Sequence, residues 1–157
     1  MNADEWSALI TRVMAEAAAP DPRDRVALFA PEPVGSALEA ALRPRVRAVV
    51  RVTTVADVPP DTSIVCLHSS LRLLPPAEQR ALLSALGRRL PERALAVIGD
   101  AMWSLPVDDL DAPEQYGAPL VHVQPIATLE RWLRDAGFLP DTHRYSPGVA
   151  VIVAVRA

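Results

Sequence analysis

Short apolar runs, each the length of one strand, alternate along this chain with segments of helical spacing, and few folds accommodate that alternation. Val26–Ala30 reads as a buried strand and the SALEAAL segment after Gly35 as a helix, with Ser36 as its N-cap and Pro44 closing it. Arg45–Val55 is β-branched and partly alternating, hence a strand. SIVCLH (Ser63–His68) is apolar throughout, the mark of a strand covered on both faces of a parallel sheet. A helix then opens at Pro75 and Pro76, with Leu82, Leu83, Leu86 and Leu90 on its inner side, and RALAVIGD supplies another buried strand ending in Asp100.

The two ends extend the pattern. Trp6, Leu9, Ile10, Val13, Met14 and Ala17 fall at helical spacing, so residues 1–20 predict an amphipathic helix packed on the sheet and stopped by Pro20 to Asp24. Ala101 to Pro125 is irregular and acidic. IATLERWLRDAG is a helix with Gly137 in the stop position, and two strands around the SPG turn at Ser146–Gly148 close the chain. Strands alternating with helices predict one α/β domain over residues 1–157, a three-layer sandwich with a mostly parallel sheet and a terminal antiparallel hairpin. In such sheets ligands bind beyond the carboxyl ends of the strands.

Composition narrows the partners. The net charge of −3 and the lack of a basic cluster argue against nucleic acid, although all 16 basic residues are arginine. The single Cys66 lies in an apolar run and reads as a core thiol, which leaves no intrachain disulfide and no cysteine-rich metal site. No apolar segment follows a basic start, so neither a signal peptide nor a membrane span is expected, and the default location is cytoplasmic. His122 and His143 have no carboxylate or thiol at metal spacing, so no metal is expected.

In the order of these elements and in four local patterns, the chain resembles the class I S-adenosylmethionine-dependent methyltransferases of the small UbiE-like, type 11 kind. RDRVALFAPEPVG resembles the first strand and glycine loop of that family. The stretch from Ser63 to Met102 is similar to its fourth strand, next helix and fifth strand. TLERWLRDAGF and GVAVIVAVRA resemble the last helix and last strand, so the likeness runs from Asp21 to the C-terminus.

The resemblance breaks where the cofactor would sit. The family's acidic and glycine positions are held by Phe29, Ala30, Pro31, Glu32, Pro33, Val34 and Gly35, so only the last glycine survives. Proline fixes φ and has no N–H, which removes two donors from the loop. Between Gly35 and Ser63 lie 27 residues, where two helices and two strands need about 45. One strand–helix unit is therefore shortened or missing, and the acid expected near Arg51–Thr53 for the ribose hydroxyls is absent.

What the resemblance implies is thus a methyltransferase-like domain that has lost S-adenosylmethionine binding, carries no cofactor, and serves as a binding or partner protein, pairing with itself or an active homologue. Two alternatives stay open. One is a small active methyltransferase holding S-adenosylmethionine through Gly35, Asp57 and His68. The other is a protein that binds a small hydrophobic metabolite. In either, Asp100, Trp103 and Tyr116 are the candidate pocket residues, in a connection that forms a lid or a subunit interface.

Overall fold

The computed structural model describes residues 3–103, 122–146 and 149–157. Seven strands and four long helices make up these residues: α1 (Ala3–Ala17), β1 (Arg25–Phe29), α2 (Val34–Leu42), β2 (Ala48–Arg51), β3 (Ile64–His68), α3 (Pro76–Arg89), β4 (Leu95–Trp103), β5 (Gln124–Pro125), α4 (Ile126–Asp135), β6 (Phe138–Ser146) and β7 (Val149–Arg156). The strands lie in the order β2-β1-β3-β4-β7-β6, with β5 beside the end of β4. From β2 to β4 the pairing is parallel, whereas β7 runs antiparallel to both β4 and β6.

Burial explains the strand patterns. All five residues of β3 are buried, because helices cover both faces of the centre of the sheet. On one face α3 and α4 pack Leu83, Leu86, Ile126, Leu129 and Leu133 onto Ala27, Val65, Leu67, Ile98 and Ile152. On the other, α1 and α2 bring Ile10, Met14, Leu38 and Leu42 onto Val26, Leu28, Cys66, Val97 and Val151. The result is three layers. Gly137 ends α4 at φ +93°, the left-handed stop that only glycine adopts without strain.

Three expectations need correction. The second strand spans Ala48–Arg51 rather than Arg45–Val55. Among the described residues it is an edge strand with β1 as its one neighbour, and the segments on either side form 3-10 turns at Arg43–Arg45 and Val55–Asp57. Ser36 is no N-cap: α2 starts at Val34, after Pro33 in the helical region at φ −89° and ψ −2°. The ring constraint of proline, rather than a hydroxyl, sets the entry into the helix. The strand expected to stop at Asp100 continues to Trp103, because β7 pairs with it as far as Ala101 and β5 pairs with Met102 and Trp103.

The shortage between β1 and β3 is plain in the topology. Gly35 to Ser63 holds one helix, one strand and 3-10 turns, and among the described residues β2 is the last strand on its side of the sheet. No described helix is long and apolar enough to cross a membrane.

Candidate functional site

Beyond Phe29 the chain turns through Ala30–Pro33 into α2. Gly35 N–H donates to the Pro31 carbonyl at 2.8 Å and Ala37 N–H to the Pro33 carbonyl at 3.3 Å, so these amides close the loop on itself. Arg51, at the tip of β2, reaches over this turn. Its Nη2 donates to the Ala30 carbonyl at 3.1 Å and pairs with Glu32 Oε1 at 2.7 Å. Ser36 Oγ donates to the other Glu32 oxygen at 2.6 Å. The Ser36 hydroxyl, and after it the Arg51 guanidinium, hold the Glu32 carboxyl below its ordinary range. A Cβ at Gly35 would run into the Arg51 guanidinium, so the surviving glycine makes room for an arginine of the chain itself.

This donor set does not match an S-adenosylmethionine site. The strand tip that should present hydrogen-bond acceptors to a ribose presents a guanidinium, which has none. Pro31 and Pro33 lack N–H groups, and the space above Gly35 is filled by Arg51.

Under the start of α1, at the carboxyl ends of β3 and β4, lies a second polar group of residues. His68 is fully buried, with Nδ1 2.9 Å from Ser69 Oγ and Nε2 2.8 Å from Thr11 Oγ1. Thr11 in turn donates to the Ser7 carbonyl at 2.9 Å, so Nε2 carries the proton and Ser69 donates to Nδ1. Burial, and secondarily the charge of Arg72, lower His68 to about 4, so it is neutral at pH 7. Ser69 holds φ +54°, a conformation few non-glycine residues adopt. Both ring nitrogens of His68 are therefore engaged by protein.

Asp100 is paired with Arg72, and its two oxygens also accept Ala101 N–H at 2.8 Å and Arg72 N–H at 3.3 Å. Burial raises the Asp100 carboxyl, while Arg72 and the backbone donors pull it back. The Arg72 guanidinium lies 5.5 Å from the centre of the Trp6 ring, a cation–π contact that ties α1 to this pair. Asp100 is thus a buried partner of an arginine and an anchor for α1.

The remaining sequence candidates lie apart. Asp57 is exposed in its 3-10 turn and accepts a hydrogen bond from Thr54 Oγ1 at 3.0 Å. That turn packs against α3, on the opposite face of the sheet from α2 and its Gly35. Trp103 ends β4, its side chain lying outside the described residues together with Tyr116. Among the described residues no three His, Cys, Asp or Glu side chains group as metal ligands. Sequence reasoning missed Arg51 and Arg72. The first had a signal, a cation at the strand tip where an acid was sought; the second, in a leucine-rich stretch, had none.

Two concave features accompany these groups. A cavity of about 300 Å³ opens beside the first loop, lined by Phe29, Pro31, Val52, Ser70, Leu74 and Leu82 among others. A groove of about 660 Å³ runs between α1 and α2.

No protein-family model matches the sequence, and no curated protein matches it. Solved structures match its fold. The S-adenosylmethionine-dependent methyltransferase SibL superimposes over 96% of this chain with a TM-score of 0.69 at 16% identity, and the chain spans 55% of SibL. A methyltransferase-like protein solved in complex with the Haloferax volcanii Trm112 methyltransferase activator matches with a TM-score of 0.72 over 94% of this chain and 88% of that one, at 11% identity. A methyltransferase-like protein of Bacillus halodurans gives a TM-score of 0.68 over 93% and 97% of the two chains, also at 11% identity. At these identities the likeness is one of fold: a class I methyltransferase-like sandwich, here short of one strand–helix unit.

Proposed function

We propose that this chain keeps the methyltransferase fold without its cofactor and works by binding a partner rather than by transferring a methyl group. The observation that carries the reading is Arg51, whose guanidinium lies on the Ala30 carbonyl, against Glu32 and over Gly35. A nucleoside seated there must expel that side chain, and it then finds two prolines in place of amide donors. The active-enzyme alternative needs Gly35, Asp57 and His68 to converge. Gly35 lies under Arg51, Asp57 is exposed on the other face of the sheet, and His68 is sealed beneath α1. The complex of one neighbour with the Haloferax volcanii Trm112 activator lends the partner reading a precedent within the fold.

A second reading has one observation in its favour. The apolar cavity beside Phe29 and Leu82, about 300 Å³, is of the size that holds a small hydrophobic molecule.

Titration calorimetry with S-adenosylmethionine and S-adenosylhomocysteine tests the reading, and no binding heat is expected from either. The double variant Pro31→Gly with Pro33→Gly is expected to stay silent too, since Arg51 and the shortened ribose side remain. Micromolar binding by the unmodified protein, about 8 kcal/mol, would overturn the proposal.

A further inference from the structure

The groove between α1 and α2 has an unusual wall. Ala8 of α1 and Ala37 and Ala41 of α2 are exposed along it, with Ala15 buried at its floor. Small-molecule sites are usually walled by large apolar and aromatic side chains. A wall of methyl groups suits the close approach of another helix, at interaxial distances of about 8–10 Å.

The charges along the groove say which helices fit. Both helices run from the carboxyl edge of the sheet to its opposite edge, because α1 leads into β1 and α2 follows it. Asp4 lies at the upper end, near Pro33. Arg12 and Arg45 lie toward the lower end with Glu16, where Arg45 Nη1 reaches the Ala15 carbonyl at 3.5 Å. All four charged residues are exposed, and among the described residues none has an ion-pair partner. The groove is therefore acidic at the top and, on balance, basic at the bottom. A two-fold axis across its middle sets the acidic end of one copy on the basic end of the other, with the helices antiparallel.

We infer that this groove is the seat of a second copy of the same chain, joined isologously through α1 and α2. In a two-fold interface, if residue i meets residue j of the partner then j also meets i, so the Asp4–Arg45 pairing forms twice. The inference rests on the binding reading above and names its partner.

Light scattering and sedimentation of the full chain at about 100 µM test it, since mass action sets the dimer fraction. A dimer is expected. Ala37→Arg with Ala41→Arg should give a monomer whose circular dichroism is unchanged, because both positions are exposed, and whose thermal midpoint no longer rises with protein concentration as that of the dimer does. Asp4→Arg alone and Arg45→Asp alone should each weaken the dimer about tenfold or more, and the two together should restore it. A monomeric wild-type chain, a dimer indifferent to the alanine substitutions, or single charge reversals without rescue would each overturn the inference. A monomer that also ignores S-adenosylmethionine leaves the cofactor reading intact; a dimer that binds it overturns that reading and not this one.

Discussion

Two glycines and one histidine show how local chemistry sets the behaviour of this protein. At Gly35 an added methyl meets the flexible end of Arg51, which can swing away. Gly35→Ala should therefore gain helix propensity, lose an exposed ion pair, and change stability by less than about 1 kcal/mol. At Gly87 of α3 the same methyl meets the backbone carbonyl of Ala136, which cannot move unless α3 and α4 separate. Gly87→Ala should cost about 1–3 kcal/mol, and urea unfolding of the pair of variants checks the contrast. His68 is held neutral in the folded state, at about 4 against an ordinary 6.5. A lowered histidine stabilises the fold fully above the unfolded value, and the contribution fades as pH falls from 6.5 toward 4. Its size is about 3 kcal/mol. His68→Gln should lose that component, so the difference in stability between wild type and variant should shrink as pH falls through this window. A difference that stays constant from pH 7 to 4 would show that burial does not hold the ring neutral.

Each element reflects how many sides of it are covered. The central strands β3 and β4 have neighbours on both edges and helices on both faces, whereas β2, among the described residues, pairs on one edge alone and is half exposed. Amide exchange should accordingly be slowest in β3 and β4 and much faster in β2 and the Val55–Asp57 turn, as hydrogen exchange with mass detection reads directly. A β2 as protected as β3 would mean that something covers the edge. Helix α1 is fixed in two ways: Ile10 and Met14 lie on the sheet, and Trp6 stacks on the Arg72 guanidinium that neutralises Asp100. Gln79 ties α3 to the segment before α4 in similar fashion, donating to the Leu74 and His122 carbonyls at 2.9 and 2.8 Å. These buried polar ties fix where the helices sit, because leaving either end unpaired costs more than the bond itself is worth.

At the scale of the whole molecule, a methyltransferase-like fold is present with one strand–helix unit fewer on the β2 side of the sheet, and Arg51 lies over its first loop. The sequence determined a great deal of this. Apolar runs of strand length set between amphipathic helices dictated a three-layer sandwich, since neither kind of element can bury its apolar face alone. The 27 residues between Gly35 and Ser63 capped the number of elements there, because a helix and a strand each need a minimum length of chain. Pro31 and Pro33 removed loop donors as a matter of covalent structure, whatever surrounds them. Tertiary structure alone decided what lies against Gly35. Arg51 is 16 positions from Gly35 along the chain, and only the parallel pairing of β1 with β2 sets its guanidinium over that loop. Likewise Trp6, His68, Arg72 and Asp100 share no spacing pattern, and it is the packing of α1 across the ends of β3 and β4 that makes them neighbours. Periodicity records which face of an element is buried; it carries no record of which distant residue will lie against it.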